Sequence, residues 1–113
     1  MQWRPVTAIR ADGNAGWTPL LATPPFPDYP AAHTAFAGAA ETVLTGLLGH
    51  ASGGLTLTSP TAPGAERRFG SFDAIADDVE NARVWGGVHW RSSSEAGRAL
   101  GHRIGRVALQ RLP

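Results

Sequence analysis

Apolar side chains recur at helical spacing in three segments of the chain, and stretches rich in proline and glycine separate these segments. The first predicted helix runs from about Ala31 to Leu48, with Pro30 at its entrance and Gly49 as its stop. Its larger apolar residues fall on one face of the helix: Phe36, Ala40, Val43, Leu44, Leu47 and Leu48.

Two further helices are predicted in the second half of the chain. One spans about Phe72 to Gly86, carries acidic residues in its N-terminal half as the helix dipole favours, and ends at Gly86-Gly87. The other begins near Ser92, where Ser92-Ser93-Ser94-Glu95 has the pattern of a capping box, and runs to about Arg111. Glycines recur along it every four residues and predict a smooth strip that a second helix backbone can approach closely: Gly97, Gly101 and Gly105.

The segments between the helices are predicted to be ordered loops and one hairpin. Residues 11–30 contain so many prolines that a regular helix is excluded, and their apolar side chains predict a loop packed on the core. Leu55–Thr58 and Arg67–Phe69 are predicted to pair as a small irregular hairpin within residues 55–70. The predicted fold is therefore a single all-α domain over residues 1–113, a helical bundle with one hairpin.

Composition narrows the chemistry that this domain can perform. Its 113 residues are 42% hydrophobic and 17% charged, which is typical of a globular protein. It has no cysteine, so disulfides and thiolate metal sites are excluded. All ten basic residues are arginine, which excludes Schiff-base chemistry and Walker-type phosphate loops within the chain.

Charge and hydropathy give expectations about partners and location. The formal net charge of +1 predicts no nucleic-acid partner and no attraction to a membrane surface. No apolar stretch reaches the roughly 20 residues of a membrane span, and no signal peptide follows Met1. We expect a cytoplasmic protein if Met1 is the true start.

Two arginines and two histidines form the candidate chemistry: Arg4, His33, Arg83 and His89. Arginine offers a planar fork of N–H groups that matches an oxyanion, and the N-terminus of the first predicted helix offers free backbone N–H groups near His33. The Gly86-Gly87 break frees Arg83 and His89 to turn toward one pocket. One histidine can then bind or attack the central atom of the oxyanion, and the other can transfer a proton.

These residues lie in motifs that resemble the superfamily of vanadium-dependent haloperoxidases and type-2 phosphatidic acid phosphatases. Arg4-Pro5 resembles the end of the motif Lys, six residues, Arg-Pro, and Pro30-Ala31-Ala32-His33 resembles Pro-Ser-Gly-His. Arg83 and His89 have the spacing of the third motif, Ser-Arg, five residues, His, three residues, Asp. The surrounding sequence is similar to the soluble haloperoxidase branch, and the resemblance covers nearly the whole chain.

The chain departs from the family pattern at three places. The lysine of the first motif would precede residue 1, so we expect the C-terminal part of a larger helical bundle, incomplete at its N-terminus. Ala31 and Ala32 replace serine and glycine, which leaves the Ala32 N–H but no hydroxyl for an oxyanion. Ser93 stands where the family has the aspartate that often orients the histidine, and Glu95 and Asp78 are candidates to replace that carboxylate.

The resemblance implies a role for each residue. In a haloperoxidase, His89 would bind the vanadium of a vanadate cofactor, His33 would be the acid–base partner, and Arg4, Arg83 and the Ala32 N–H would hold the oxyanion. The substrates would then be halide and hydrogen peroxide.

Two alternatives remain open. In the first, a phosphatase would bind phosphate in the same pocket, and His89 would attack a phosphate ester to form a phosphohistidine. In the second, the chain is a truncated or degenerate module without catalysis. Its glycine strip and incomplete bundle then favour a dimer in which each copy covers the exposed apolar face of the other.

Overall fold

The computed structural model describes residues 2–50 and 53–113, and within them the chain forms four helices and one β-hairpin. Met1 and residues 51–52, which belong to the predicted loop after the first predicted helix, lie outside the described residues. The elements are α1 (Pro5–Ala11), α2 (Ala32–Leu48), β1 (Leu55–Ser59), β2 (Ala62–Phe69), α3 (Phe72–Trp85) and α4 (Arg91–Gln110).

The predicted helical fold with a small hairpin is confirmed. The bounds of the three predicted helices agree with α2, α3 and α4 to within one residue at each end. Helix α1, which has 7 residues, is absent from the elements predicted from the sequence. Pro5 occupies its first turn, where the fixed φ of proline suits a helix and the missing N–H costs no hydrogen bond.

Helices α2 and α4 pack together through small residues. A Cβ atom added at Gly101 would lie 2.7 Å from the backbone nitrogen of Ala39, and one added at Gly105 would lie 2.6 Å from the Cβ of Thr42. The predicted glycine strip is thus confirmed as the surface on which α2 lies. The contact also joins the starts of the two helices, because the Ala31 N–H donates to the Ser93 carbonyl at 2.9 Å.

The large apolar side chains of α2 lie away from this contact. Phe36 is 78% exposed and Leu48 is 70% exposed, while the buried residues of α2 are Thr34 and Gly38. The periodic apolar face predicted from the sequence is real but does not form the α2–α4 interface, because close approach of two backbones selects small residues there. The expected packing of the residue 11–30 loop on a core is wrong for most of its large apolar side chains, which are exposed: Leu20, Leu21, Phe26 and Tyr29.

The predicted capping box at the start of α4 is also wrong. The helix begins at Arg91, Trp90 is its N-cap, and no side chain caps it. Ser93 and Ser94 are buried in the first turn instead. The Ser93 hydroxyl faces another segment of the chain and donates a hydrogen bond to the side chain of Asp28.

Helix α3 and the hairpin complete the fold. The strands pair antiparallel with Leu55 opposite Phe69, and Arg67 of β2 forms an ion pair with Asp78 of α3 at 2.8 Å. Arg98 of α4 connects the helices, since it contacts Glu41 of α2 and Asp73 of α3. None of the helices in residues 2–50 and 53–113 combines the length and the apolar character needed to cross a membrane.

Candidate functional site

The glycine break after α3 places His89. Helix α3 ends at Trp85, and Gly87 has φ of +72°, a backbone conformation that side-chain-bearing residues rarely adopt. The chain then turns back so that the N–H groups of Val88 and His89 both point at the Arg83 carbonyl, at 3.2 and 3.3 Å. The predicted interruption of helical geometry between Arg83 and His89 is therefore confirmed.

His89 is buried and both of its ring nitrogens have polar neighbours. His89 is 2% exposed, and its Nδ1 lies 3.0 Å from Oδ1 of Asp28. Its Nε2 lies 3.0 Å from Nη1 of Arg4. The imidazole is thus held between a carboxylate and a guanidinium.

Asp28 is the site residue that the sequence analysis missed. It has no solvent exposure, and it comes from the proline-rich loop before α2. Ser93 does not bond His89 directly but donates to Oδ2 of Asp28. Glu95 is exposed and Asp78 pairs with Arg67, so neither replaces the family aspartate. The available signal was an acidic residue isolated in the otherwise apolar segment 24–30.

Arg4, the N-cap residue of α1, is 7% exposed and its N–H groups are directed at groups of the protein. Nε and Nη2 donate to the Phe26 carbonyl at 3.0 and 2.9 Å, and Nη2 also donates to the Pro27 carbonyl at 3.3 Å. Nη1 donates to the Val88 carbonyl at 2.6 Å and contacts His89. Arg4 therefore connects α1 to the proline-rich loop and to His89.

Arg83 presents a donor without an acceptor. Its Nε is buried and has no hydrogen-bond partner within the described part of the chain. Burial, and then the positive charge of Arg4, lower the pKa of Arg83 from its ordinary value. A buried N–H without a partner is costly, and an oxyanion is a chemically suitable acceptor for it.

His33 and Ala32 lie at the N-terminus of α2, as predicted. Both are exposed, and the first N–H groups of a helix have no acceptor within the helix. Partial burial and then the positive charges of Arg83 and Arg4 lower the pKa of His33. His33 and the two guanidinium groups thus act on one another electrostatically. Ala31 is fully buried at the N-cap and brings no side-chain donor.

Positive charge exceeds negative charge in this group. Burial and then the Arg4 charge lower the pKa of His89, while the carboxylate of Asp28 opposes them. At neutral pH the imidazole of His89 is therefore uncharged. Two guanidinium groups face one carboxylate, an imbalance that a bound anion would offset.

The donor set suits an oxyanion better than a metal cation. Within residues 2–50 and 53–113, no three side chains of histidine, aspartate or glutamate lie close enough together to hold a metal ion. Vanadate and phosphate instead need N–H donors and one nucleophilic or ligating nitrogen. Arg83, the N-terminus of α2 and Nε2 of His89 are groups of these two kinds.

Comparison with known proteins gives matches over almost the whole chain. The family model described as VCPO second helical-bundle domain matches residues 1–113. The crystal structure of a bacterial vanadium-dependent iodoperoxidase has a TM-score of 0.89 and 34% sequence identity, over 97% of this chain and 27% of that chain.

The apo form of a bacterial vanadium-dependent chloroperoxidase has a TM-score of 0.81 and 22% identity, over 95% of this chain and 30% of that chain. At that identity the likeness concerns the fold alone. The chain spans less than a third of the length of either structure. No curated protein sequence matches it at a significant level.

Proposed function

This chain belongs to the haloperoxidase-like superfamily, as a VCPO second helical-bundle domain, and from that membership we propose that it binds vanadate at His89 and takes part in the oxidation of halide by hydrogen peroxide. The observation that carries the proposal is the buried His89, whose Nε2 lies 3.0 Å from the guanidinium of Arg4. The identity of 34% to an iodoperoxidase supports it.

Each residue of the site would contribute a separate action. Nε2 of His89 would supply the lone pair that bonds vanadium, beside Nη1 of Arg4 at 3.0 Å. That nitrogen of Arg4 would then be a donor for the anion, as would the unpartnered Nε of Arg83 and the Ala32 N–H. His33, whose pKa is lowered by partial burial and then by the charges of Arg83 and Arg4, would accept and return a proton. Bound vanadate would supply the electrophilic centre at which hydrogen peroxide is activated toward halide.

The same donors would also hold phosphate, and the phosphohistidine alternative uses the same nitrogen of His89. Within the described residues we find no feature that favours a phosphate ester over vanadate. Orthophosphate therefore serves as the competitor in the experiment rather than as a second proposed substrate.

The proposal predicts saturable binding of orthovanadate to the purified chain in a calorimetric titration. We expect His89→Ala to abolish binding, because it removes the nitrogen that bonds vanadium. Arg83→Met should weaken binding at least tenfold, which corresponds to the loss of about 1.4 kcal/mol from a charged hydrogen bond. Bromide or iodide, hydrogen peroxide and a phenolic dye then test for halogenation.

Two control variants match these substitutions. His50→Ala and Arg106→Met alter exposed residues of the same types and should leave the affinity unchanged. Circular dichroism of each variant reports whether the helices are intact. Absence of saturable binding to the wild-type chain, or equal binding by a folded His89→Ala variant, would refute the assignment.

A further inference from the structure

Asp28 is a carboxylate with no solvent exposure, and both of its oxygens have partners. Oδ1 lies 3.0 Å from Nδ1 of His89, and Oδ2 accepts a hydrogen bond from the Ser93 hydroxyl. Nη1 of Arg4 lies farther away, 3.8 Å from Oδ1. A buried carboxylate persists only where such partners offset its lost hydration.

The donors and acceptors around His89 define which ring nitrogen carries the proton. An ionised carboxylate only accepts hydrogen bonds, so Nδ1, which faces Asp28, must donate. Nη1 of Arg4 lies 3.0 Å from Nε2 and 3.2 Å from Nδ1, so it sits over the face of the ring and on the lone-pair axis of neither nitrogen. The neutral ring is therefore the Nδ1–H tautomer.

We infer that Asp28 is a positioning residue, which holds the imidazole of His89 in the Nδ1–H tautomer and in the orientation that leaves the Nε2 lone pair for an oxyanion. Ser93 assists by fixing the second oxygen of Asp28. The last step, presentation of Nε2 to vanadate, rests on the proposed function. The tautomer and the orientation do not.

The carboxylate thus reaches His89 from a different part of the chain than the resemblance to the family suggested. Position 93 carries a hydroxyl, and the carboxylate comes from the loop before α2, 65 positions earlier in the sequence. A role for Asp28 as a simple counter-ion of Arg4 fits the geometry less well. The contact to His89 is shorter, and Nη1 of Arg4 donates to the Val88 carbonyl at 2.6 Å.

The first test measures the tautomer by ¹⁵N NMR of the imidazole at pH 8, in the protein without vanadate. We expect the Nδ1–H form of His89 in the wild type and its loss or mixing with the Nε2–H form in Asp28→Ala. Asp28→Asn keeps a carbonyl acceptor and should restore the Nδ1–H form. The control Asp12→Asn changes an exposed aspartate and should leave the spectrum of His89 unchanged.

A folded Asp28→Ala variant with an unchanged Nδ1–H tautomer would overturn the inference, because Asp28 would then be only structural. If Asp28→Ala does not fold, the wild type alone decides. An Nε2–H tautomer there contradicts the inference, and an Nδ1–H proton protected from exchange supports it.

The second test connects Asp28 to vanadate. Loss of an outer partner of a ligating histidine typically costs ~10- to 100-fold in affinity, and we expect that loss in Asp28→Ala and a smaller one in Ser93→Ala. If the wild type binds no vanadate, the proposed function fails while the tautomer measurement still decides the role of Asp28. If Asp28→Ala loses the tautomer but binds vanadate as the wild type does, the link between orientation and binding is wrong.

Discussion

Arg4 carries a fixed positive charge in the site, whereas the charge of His33 depends on its surroundings. The guanidinium of Arg4 is buried among the carbonyls of Phe26, Pro27 and Val88, so its charge is fixed in place by backbone dipoles. His33 lies at the start of α2, and its pKa is lowered by partial burial, then by the charge of Arg83 and then by that of Arg4. Assignment of the oxyanion contacts to Arg4, Ala32 and Arg83 remains a prediction.

At His33 we predict a pH effect with a definite sign. Its pKa is lowered from the ordinary value of about 6.5, so Arg83→Met, which removes one of the causes, should raise that pKa toward the ordinary value. NMR titration of the His33 ring in wild type and variant measures the shift. An unchanged pKa in Arg83→Met would contradict the electrostatic coupling of the two residues, and Arg106→Met serves as the control.

The same shift has a consequence for stability. The folded state binds the His33 proton less readily than the unfolded state does. The contribution of this residue to the free energy of unfolding is therefore fully present above the unfolded pKa near 6.5, and it is lost as the pH falls through the folded pKa. The lowered pKa of His89 acts with the same sign. We therefore expect urea midpoints to decrease below pH 6.5, by less in Arg83→Met than in the wild type.

Among the elements, the pair α2–α4 matters most for the site because it connects the start of α2 to the start of α4. His33 and Ala32 lie on the first of these segments, and Ser93, which holds Asp28, lies on the second. The backbone bond from Ala31 to Ser93 ties them directly. The small residues along the helix pair thus determine the distance between the two halves of the site.

We predict that Gly101→Ala destabilises the fold by about 1–3 kcal/mol, because the new Cβ would collide with the backbone of Ala35 and Ala39, which cannot yield unless the helices separate. Gly46→Ala is the matched control on α2. Its Cβ would meet only the end of the Leu109 side chain, at 2.6 Å, and that side chain can rotate away.

Urea denaturation of both variants measures the difference. We expect Gly46→Ala to remain within about 1 kcal/mol of the wild type, since alanine also favours the helix over glycine. Equal stability of Gly101→Ala and Gly46→Ala would show that the two helices are not in close backbone contact.

At the scale of the whole molecule, the described residues form an extended body with little apolar burial. The radius of gyration is 16.0 Å, whereas a compact domain of this length has about 13 Å. Within the described residues, the buried hydrophobic side chains are Ala31, Ala76 and Val88. Large apolar side chains lie exposed on α2, α3 and α4: Phe36, Leu47, Leu48, Trp85, Ile104 and Val107.

From this exposure we predict that the purified chain binds a hydrophobic dye and self-associates with rising concentration, which light scattering measures. Phe36→Ser combined with Leu48→Ser should reduce both signals, because these side chains are 78% and 70% exposed on α2. Leu20→Ser, on an exposed loop residue, is the control. A monodisperse monomer without dye binding would contradict the expected homodimer.

Sequence patterns within a few positions of each other were sufficient to predict much of the fold. Glycine ends α2 and α3, apolar periodicity located α2, and the glycines of α4 predicted a close helix contact. They were insufficient for α1, which is too short for a periodic pattern, and for the capping of α4. At the start of α4 no serine caps the helix, and the Ser93 hydroxyl instead donates a hydrogen bond to Asp28.

The sequence by itself determined which residues form the three longer helices, where α3 breaks before His89, and which residue types are available to bind an oxyanion. These properties depend on neighbours within a few positions. Only the tertiary structure decided which carboxylate serves His89 and which guanidinium lies beside it, since Asp28 and Arg4 are 61 and 85 positions away. Such pairs form because a buried carboxylate and a buried imidazole need hydrogen-bond partners, which they find in each other where packing brings them together. The spacing of the two residues along the chain does not predict that contact.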